Sequence, residues 1–189
     1  MVNIGERPAS GFDDPMGLLG DCHRRLERFL NLLMTVTEQA HGGAMTAEQR
    51  DALEVSLRYF REAAPKHTSD EEESLFPRLR SVGDPRVKAV LDRVHTLEAD
   101  HRAAVVDHAE VERLARRWLR DGRLAAGETR ELAARLHELH ALYRHHIAIE
   151  DDEIFPLARE LLRPGDLAQI GEEMARRRGL GRQAAQIPK

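Results

Sequence analysis

A repeat constrains this chain more than any other feature. His67-x-x-x-Glu71 followed by Phe76-Pro77 matches His146-x-x-x-Glu150 followed by Phe155-Pro156 at an offset of 79 residues. The same offset carries Leu53 onto Leu132, Leu57 onto Leu136, Phe60 onto Leu139 and Ala64 onto Tyr143. Upstream, Asp21-Cys22-His23-Arg24 and Ala99-Asp100-His101-Arg102 correspond at an offset of 78, the one-residue difference falling in a loop. Apolar residues spaced by three and four, repeated in phase, describe two copies of one helical hairpin. Each hairpin supplies one histidine from its first helix and His-x-x-x-Glu from its second.

Helix signals divide the chain accordingly. Asp14-Pro15 caps a first helix whose apolar spacing runs through Leu19, Leu26, Leu30 and Leu33 to Gly42-Gly43. Thr46 and Gln49 form a capping box for a second, which runs toward Leu75 and Leu79 and should kink at Pro65. Asp84-Pro85 opens a third, with the stripe Val94, Leu97, Ala104, Val105, Val111, Ala115 and Trp118. After the turn from Asp121-Gly122 to Gly127, a fourth helix carries Leu132, Leu136, Leu139 and Tyr143 to about Leu162. Asp166 is expected to cap a short fifth helix through Ile170 and Met174, with a frayed tail from Arg176 onward. The expected fold is all-α: an antiparallel up-and-down four-helix bundle over 15–162, preceded by a flexible arm over 1–14 and followed by a short helix and tail over 163–189.

Composition excludes several classes of function. Twenty-nine Lys and Arg against 33 Asp and Glu give a net charge of −4, so no basic field draws in nucleic acid or an anionic membrane. Neither partner is expected. The only cysteine, Cys22, rules out an internal disulfide and a Cys-rich zinc module. Without an apolar run approaching the ~18 residues of a membrane span or a signal-peptide layout at the start, the protein is expected in the cytoplasm.

Ten histidines are present, and four of them stand on the apolar stripes. His67 continues Phe60 and Ala64, His146 continues Leu139 and Tyr143, His23 lies between Leu19 and Leu26, and His101 lies between Leu97 and Ala104. Residues four apart on a helix share a face at ~6 Å, so His67 with Glu71, and His146 with Glu150, form chelating pairs. Two carboxylates in an apolar bundle demand a cationic partner, and no Lys or Arg shares those stripes nearby. Imidazole and carboxylate together make a shell for transition-metal ions. Four imidazoles and two bridging glutamates supply about four donors to each of two ions, and a bridging oxo or hydroxo raises this to about five. Each octahedral ion would then keep a position for a small oxygen or nitrogen ligand.

This layout resembles the hemerythrin-like, or HHE cation-binding, family over roughly residues 15–160. The resemblance implies a four-helix bundle around a non-haem di-iron centre that binds dioxygen or related small ligands. It implies His23, His67, His101 and His146 as terminal ligands and Glu71 and Glu150 as bridges. The chain differs from oxygen-carrying hemerythrins in helix three, where they have His-x-x-x-His and this chain has Leu97 and Val105 four residues either side of His101. Its second acid, Glu150, follows His146 after three residues, as in HHE proteins. One ligand fewer implies an additional open position.

The expected function is binding of O2, peroxide or NO at a pair of iron ions, with manganese or zinc also compatible with the shell. The alternatives are a di-iron enzyme that disproportionates peroxide, as a catalase does, and an iron-binding or sensing protein. Catalytic residues and oligomeric state are not defined by the sequence. Tyr143, one turn before His146, reads first as packing, with a hydroxyl beside the ligands as its other role. His108 is expected as a satisfied, half-buried histidine, and Glu98 as a surface ion pair. His41, His95, His137, His140 and His145 are expected on the surface, and Cys22 as a quiet thiol. The acidic runs Asp70–Glu73 and Asp151–Glu153, and the cluster Arg176–Arg178, are expected on solvated faces.

Overall fold

The computed structural model describes residues 9–180. Helices α1 (Pro15–Ala40), α2 (Ala47–Glu62), α3 (Ala64–Asp70) and α4 (Phe76–Ser81) form the first hairpin. Helices α5 (Pro85–Asp121), α6 (Ala126–Ile149) and α7 (Phe155–Leu161) form the second, and α8 (Pro164–Arg177) closes the chain. Because α2 to α4 and α6 to α7 each run on as one rod, the architecture is a four-helix bundle with a fifth, C-terminal helix, and no strand occurs among the described residues.

The starts follow the capping chemistry. Asp14 accepts from the Gly17 amide, Thr46 and Gln49 exchange bonds as a capping box, and Asp84 accepts from the Arg86 amide. The fifth helix departs from expectation: it begins at Pro164 with Arg163 at the cap. Pro164 supplies the fixed φ of a first helical residue, which leaves Asp166 inside the first turn, ion-paired with Arg163 at 2.8 Å.

Pro65 does more than kink the second rod. The helix ends at Glu62, and Pro65 lies in the first turn of a new helix after Ala63. Further along, each rod widens into one π turn, Glu71–Leu75 and Glu150–Ile154, at the same place in the repeat. The Phe76 amide bonds to the Glu71 carbonyl and the Phe155 amide to the Glu150 carbonyl, five residues back. A proline cannot bond to the carbonyl four residues back and its ring presses against it. Widening the helix by one residue just before Pro77 and Pro156 relieves that clash.

Two apolar cores fill the bundle. One gathers Leu26 to Val36, Leu53 to Ala64, Val111 to Trp118 and Leu132 to Ile147. The other gathers Met16 to Leu19, Leu75 to Leu79, Val94 and Leu97, Ile154 to Leu162, and Ile170 and Met174 of α8. Every rod passes from one core to the other at its stripe histidine, so the four histidines and the two buried glutamates form a polar layer between them. One stripe residue is misplaced: Val105 is 68% exposed. Ala104 turns inward at 4% exposure, and Val105, about 100° further round the helix, faces solvent.

Of the arm expected over 1–14, residues 1–8 lie outside the described residues, as does most of the expected tail, 181–189. Ser10 donates its amide to Asp21 at 2.8 Å, and Phe12 packs on the second core. A side chain at Gly171 would meet the Phe12 carbonyl oxygen at 1.9 Å, so α8 needs glycine where this segment crosses it.

Within the Arg176–Arg178 cluster only Arg176 stands on a solvated face; Arg177 and Arg178 do not, and neither does Asp70. Asp70 is fully buried, and Arg177 and Arg178 reach its two oxygens at 2.9 and 2.7 Å. Arg177 also donates to Ser74 at 2.8 Å, and Arg78 grips Glu173 of α8 at 2.8 Å. A buried carboxylate within helix-forming sequence draws in whatever cation the next element presents, and α8 presents two. Replacing both Arg177 and Arg178 by Ala should therefore cost about 3–5 kcal/mol in chemical denaturation. Adding Asp70→Asn should recover part of that loss; a double variant as stable as the parent would refute the buried pairing.

Candidate metal centre

All six predicted side chains converge in the layer between the two cores. His67 Nε2 lies 3.0 Å from Glu71 Oε1, the outcome of their spacing of four, and His146 Nε2 lies 3.1 Å from Glu150 Oε2 for the same reason. The histidines of the first helices complete the set. His23 Nε2 reaches Glu150 at 3.1 Å and Glu71 at 3.7 Å, while His101 Nε2 reaches the second oxygen of Glu71 at 3.4 Å. Each glutamate thus touches histidines of both hairpins. Two donor groups within coordinating distance result, His23 with His67, Glu71 and Glu150, and His101 with His146 and Glu71, and Glu71 is common to both.

Two of the imidazoles, His23 and His101, are aimed by their outer nitrogens. His23 Nδ1 is bonded to Asp151 at 2.9 Å, and His101 Nδ1 to Glu72 at 2.8 Å. Asp100 stands 3.8 Å from His146 Nδ1. A carboxylate on Nδ1 holds the ring's orientation and leaves Nε2 to the interior. Glu72 and Asp151 correct the reading of the acidic runs as wholly solvated. Each follows its inward glutamate and crosses to the other hairpin's histidine, and the 79-residue offset that relates them was the signal from which their role could have been read. Glu98, by contrast, is held at the surface by Arg80 at 2.5 Å.

The polar inventory shows that protein groups alone do not satisfy this layer. All four carboxylate oxygens of Glu71 and Glu150, and His23 Nε2, are buried without a hydrogen-bond partner. His101 Nε2 and His146 Nε2 point at each other across 3.1 Å. Burial and the charge of Glu150 push Glu71 up to about 8. Burial would raise Glu150 as well, but the imidazoles of His146 and His23 close beside it outweigh that and hold the carboxyl well below its ordinary range. Burial and the neighbouring His23 drive His67 well below a normal imidazole. Buried acids with unspent lone pairs and imidazoles with inward nitrogens fit metal ions, which satisfy both at once.

A family model for the hemerythrin HHE cation-binding domain matches residues 14–158, which take in all six of these side chains. The chain belongs to the hemerythrin HHE family. A curated relative, an uncharacterized protein of Haemophilus influenzae, is 28% identical over 172 residues, covering 88% of this chain and 91% of that protein. Of the α5 positions four residues either side of His101, Leu97 is buried in the second core and Val105 is exposed, so neither offers a fifth histidine.

Tyr143, in the first core, pairs with His108. The Tyr143 hydroxyl is 2.8 Å from His108 Nε2, and the His108 ring stacks on Phe60 at 4.5 Å. His108 is therefore satisfied by Tyr143, and neither residue belongs to the donor groups. Burial lowers His108 to about 4, opposed only weakly by Asp107, which is itself paired with Arg135. The folded state thus holds His108 neutral where the unfolded chain, with a pKa near 6.5, takes up a proton. Stability is accordingly full above about pH 6.5 and falls as the pH drops toward 4. Relative to His108→Gln, the parent should lose up to about 3 kcal/mol across that interval. Parallel stability curves for the two proteins in denaturant titrations between pH 7 and 4 would contradict this.

Proposed function

We propose that this HHE chain holds two iron ions between its cores and binds O2, peroxide or NO there. His23, His67, His101 and His146 serve as terminal ligands, and Glu71 and Glu150 as bridges. The observation that carries the reading is the pair of buried donor groups sharing Glu71. A single ion could not use all six side chains, because the donors fall into two groups related by the repeat. Manganese and zinc accept the same mixed shell; zinc has no second oxidation state to supply the electrons that O2 and peroxide chemistry needs, and iron is taken over manganese on the family resemblance.

The residues around the ions would divide the work. Asp151 and Glu72 hold the outer nitrogens of His23 and His101, so those rings keep their orientation when the ligand arrives. Leu26, Ile147 and Tyr143 enclose a void of ≈ 10 Å³ next to all four histidines, room for about one small ligand. Thr68 and Tyr143 are the residues with polar side chains on its wall apart from the histidines. The missing fifth histidine leaves the His101 side with fewer protein donors, the arrangement that suits turnover of peroxide as well as binding.

Anaerobic loading with ferrous iron, metal analysis and an optical spectrum before and after air or peroxide tests the reading. Close to two irons per chain and a spectrum changing reversibly with O2 would support binding. Steady O2 release from peroxide would favour the disproportionating enzyme within the same site. Fewer than about 1.5 irons per chain with the helical signal intact would count against the pair. Glu71→Ala removes the residue common to both groups and should lose most of both ions, whereas Glu98→Ala should keep the parent's metal content.

A further inference from the structure

The repeat is broken in one place, and the break opens a cavity. Across the pseudo-symmetry of the hairpins, Ala64 corresponds to Tyr143, Thr68 to Ile147 and Ala104 to Leu26. On the α1–α6 side the three larger residues are buried in the first core and fill the space beside the ligands. On the α3–α5 side the three smaller residues leave a cavity of ≈ 400 Å³. Its walls are apolar, formed chiefly by Leu57, Phe60, Ala64, Ala104 and Val111, with exposed Val105 among its lining residues. The cavity shares Ala64, Thr68, His101 and Tyr143 with the small void among the four histidines, so it adjoins the donor groups on the His101 side.

Size and charge narrow the occupant. A diatomic molecule needs about one water's worth of space, whereas this cavity lies within the ~300–1,000 Å³ that small organic ligands occupy. Its charges are largely committed: Arg61 is paired with Glu112 at 3.1 Å, and Glu72 with His101. Arg102 stands on the exposed surface. The apolar body therefore calls for no charge. Among O2, NO and peroxide, only peroxide can carry an organic group.

We propose that this cavity binds a neutral alkyl or aryl molecule with one oxygen function, of the organic hydroperoxide class. Its apolar body lies between Phe60 and Ala104, and its oxygen end faces Thr68, Tyr143 and the ligand face of His101. The proposal rests on the metal-site reading only for what the oxygen end meets; the apolar pocket is a property of the chain alone.

Calorimetric titration of cumyl alcohol, a redox-inert stand-in for an aryl hydroperoxide, into the zinc-loaded and metal-free protein tests the proposal. Saturable 1:1 binding is expected. Ala104→Leu, which restores the residue that the first hairpin carries, should weaken it roughly tenfold or more. Val105→Trp changes only an exposed residue at the cavity wall, so it keeps the test valid if Ala104→Leu packs poorly, and it should weaken binding to a similar extent. Tyr143→Phe should weaken cumyl alcohol while leaving isopropylbenzene, which lacks the oxygen, unaffected. No saturable binding to the parent, or binding that survives both Ala104→Leu and Val105→Trp, would overturn the proposal whatever the metal content. Binding that follows these expectations in a protein unable to hold two metals would overturn the metal pair and leave the cavity assigned.

Discussion

Two carboxylates buried between two apolar cores are the condition to which the rest of this molecule answers. Glu71 and Glu150 are wholly inaccessible, and their oxygens have no hydrogen-bond partners. Left so, each would cost several kcal/mol of desolvation. Protonation offers partial relief, and burial does push Glu71 toward it. The four imidazole Nε2 atoms around the acids cannot supply enough hydrogen bonds without becoming cations crowded against one another. Metal ions resolve both difficulties, because they take lone pairs from acid and imidazole together. The same demand explains why the layer sits where every rod crosses from one core to the other: there it can be reached from all four.

The π turns belong to this arrangement. Glu71 and Glu150 must face inward from the bundle's midplane while the residue after each, Glu72 or Asp151, reaches a histidine on another rod. The turn begins at the glutamate and ends before Phe76-Pro77 or Phe155-Pro156, so Phe76 and Phe155 stay buried in the second core. The Phe-Pro pair therefore acts on backbone geometry, and its recurrence in the repeat marks a recurring local shape rather than a pair of ligands.

Much of this was legible in the sequence. Spacings of three and four on the stripes, together with the repeat, placed the rods and all six inward side chains, because helix periodicity and burial are both local in sequence. What escaped was set by pairing between distant elements. Asp70 looks like one more surface acid until α8 brings Arg177 and Arg178 to it from over a hundred residues away. Glu72 and Asp151 look solvated until the bundle closes around His101 and His23. Val105 looked inward because it shares apolar character with Ala104, and only the packing of the neighbouring rods decides which of two adjacent residues they cover.

Pseudo-symmetry gives the last step its force. Had the two hairpins stayed equivalent, both flanks of the centre would be sealed by a residue of the size of Tyr143 and a leucine, and only a molecule the size of water would fit. Substituting alanine at 64 and 104, and threonine at 68, unseals one flank while leaving the six inward side chains untouched. Such a loss of packing destabilises a core, by roughly 2–5 kcal/mol for a change as large as Leu to Ala. It falls on the side of the donor group with three members, His101, His146 and Glu71, where Tyr143 is bonded to His108. Looser packing and fewer donors on the same side describe a candidate centre open in that direction.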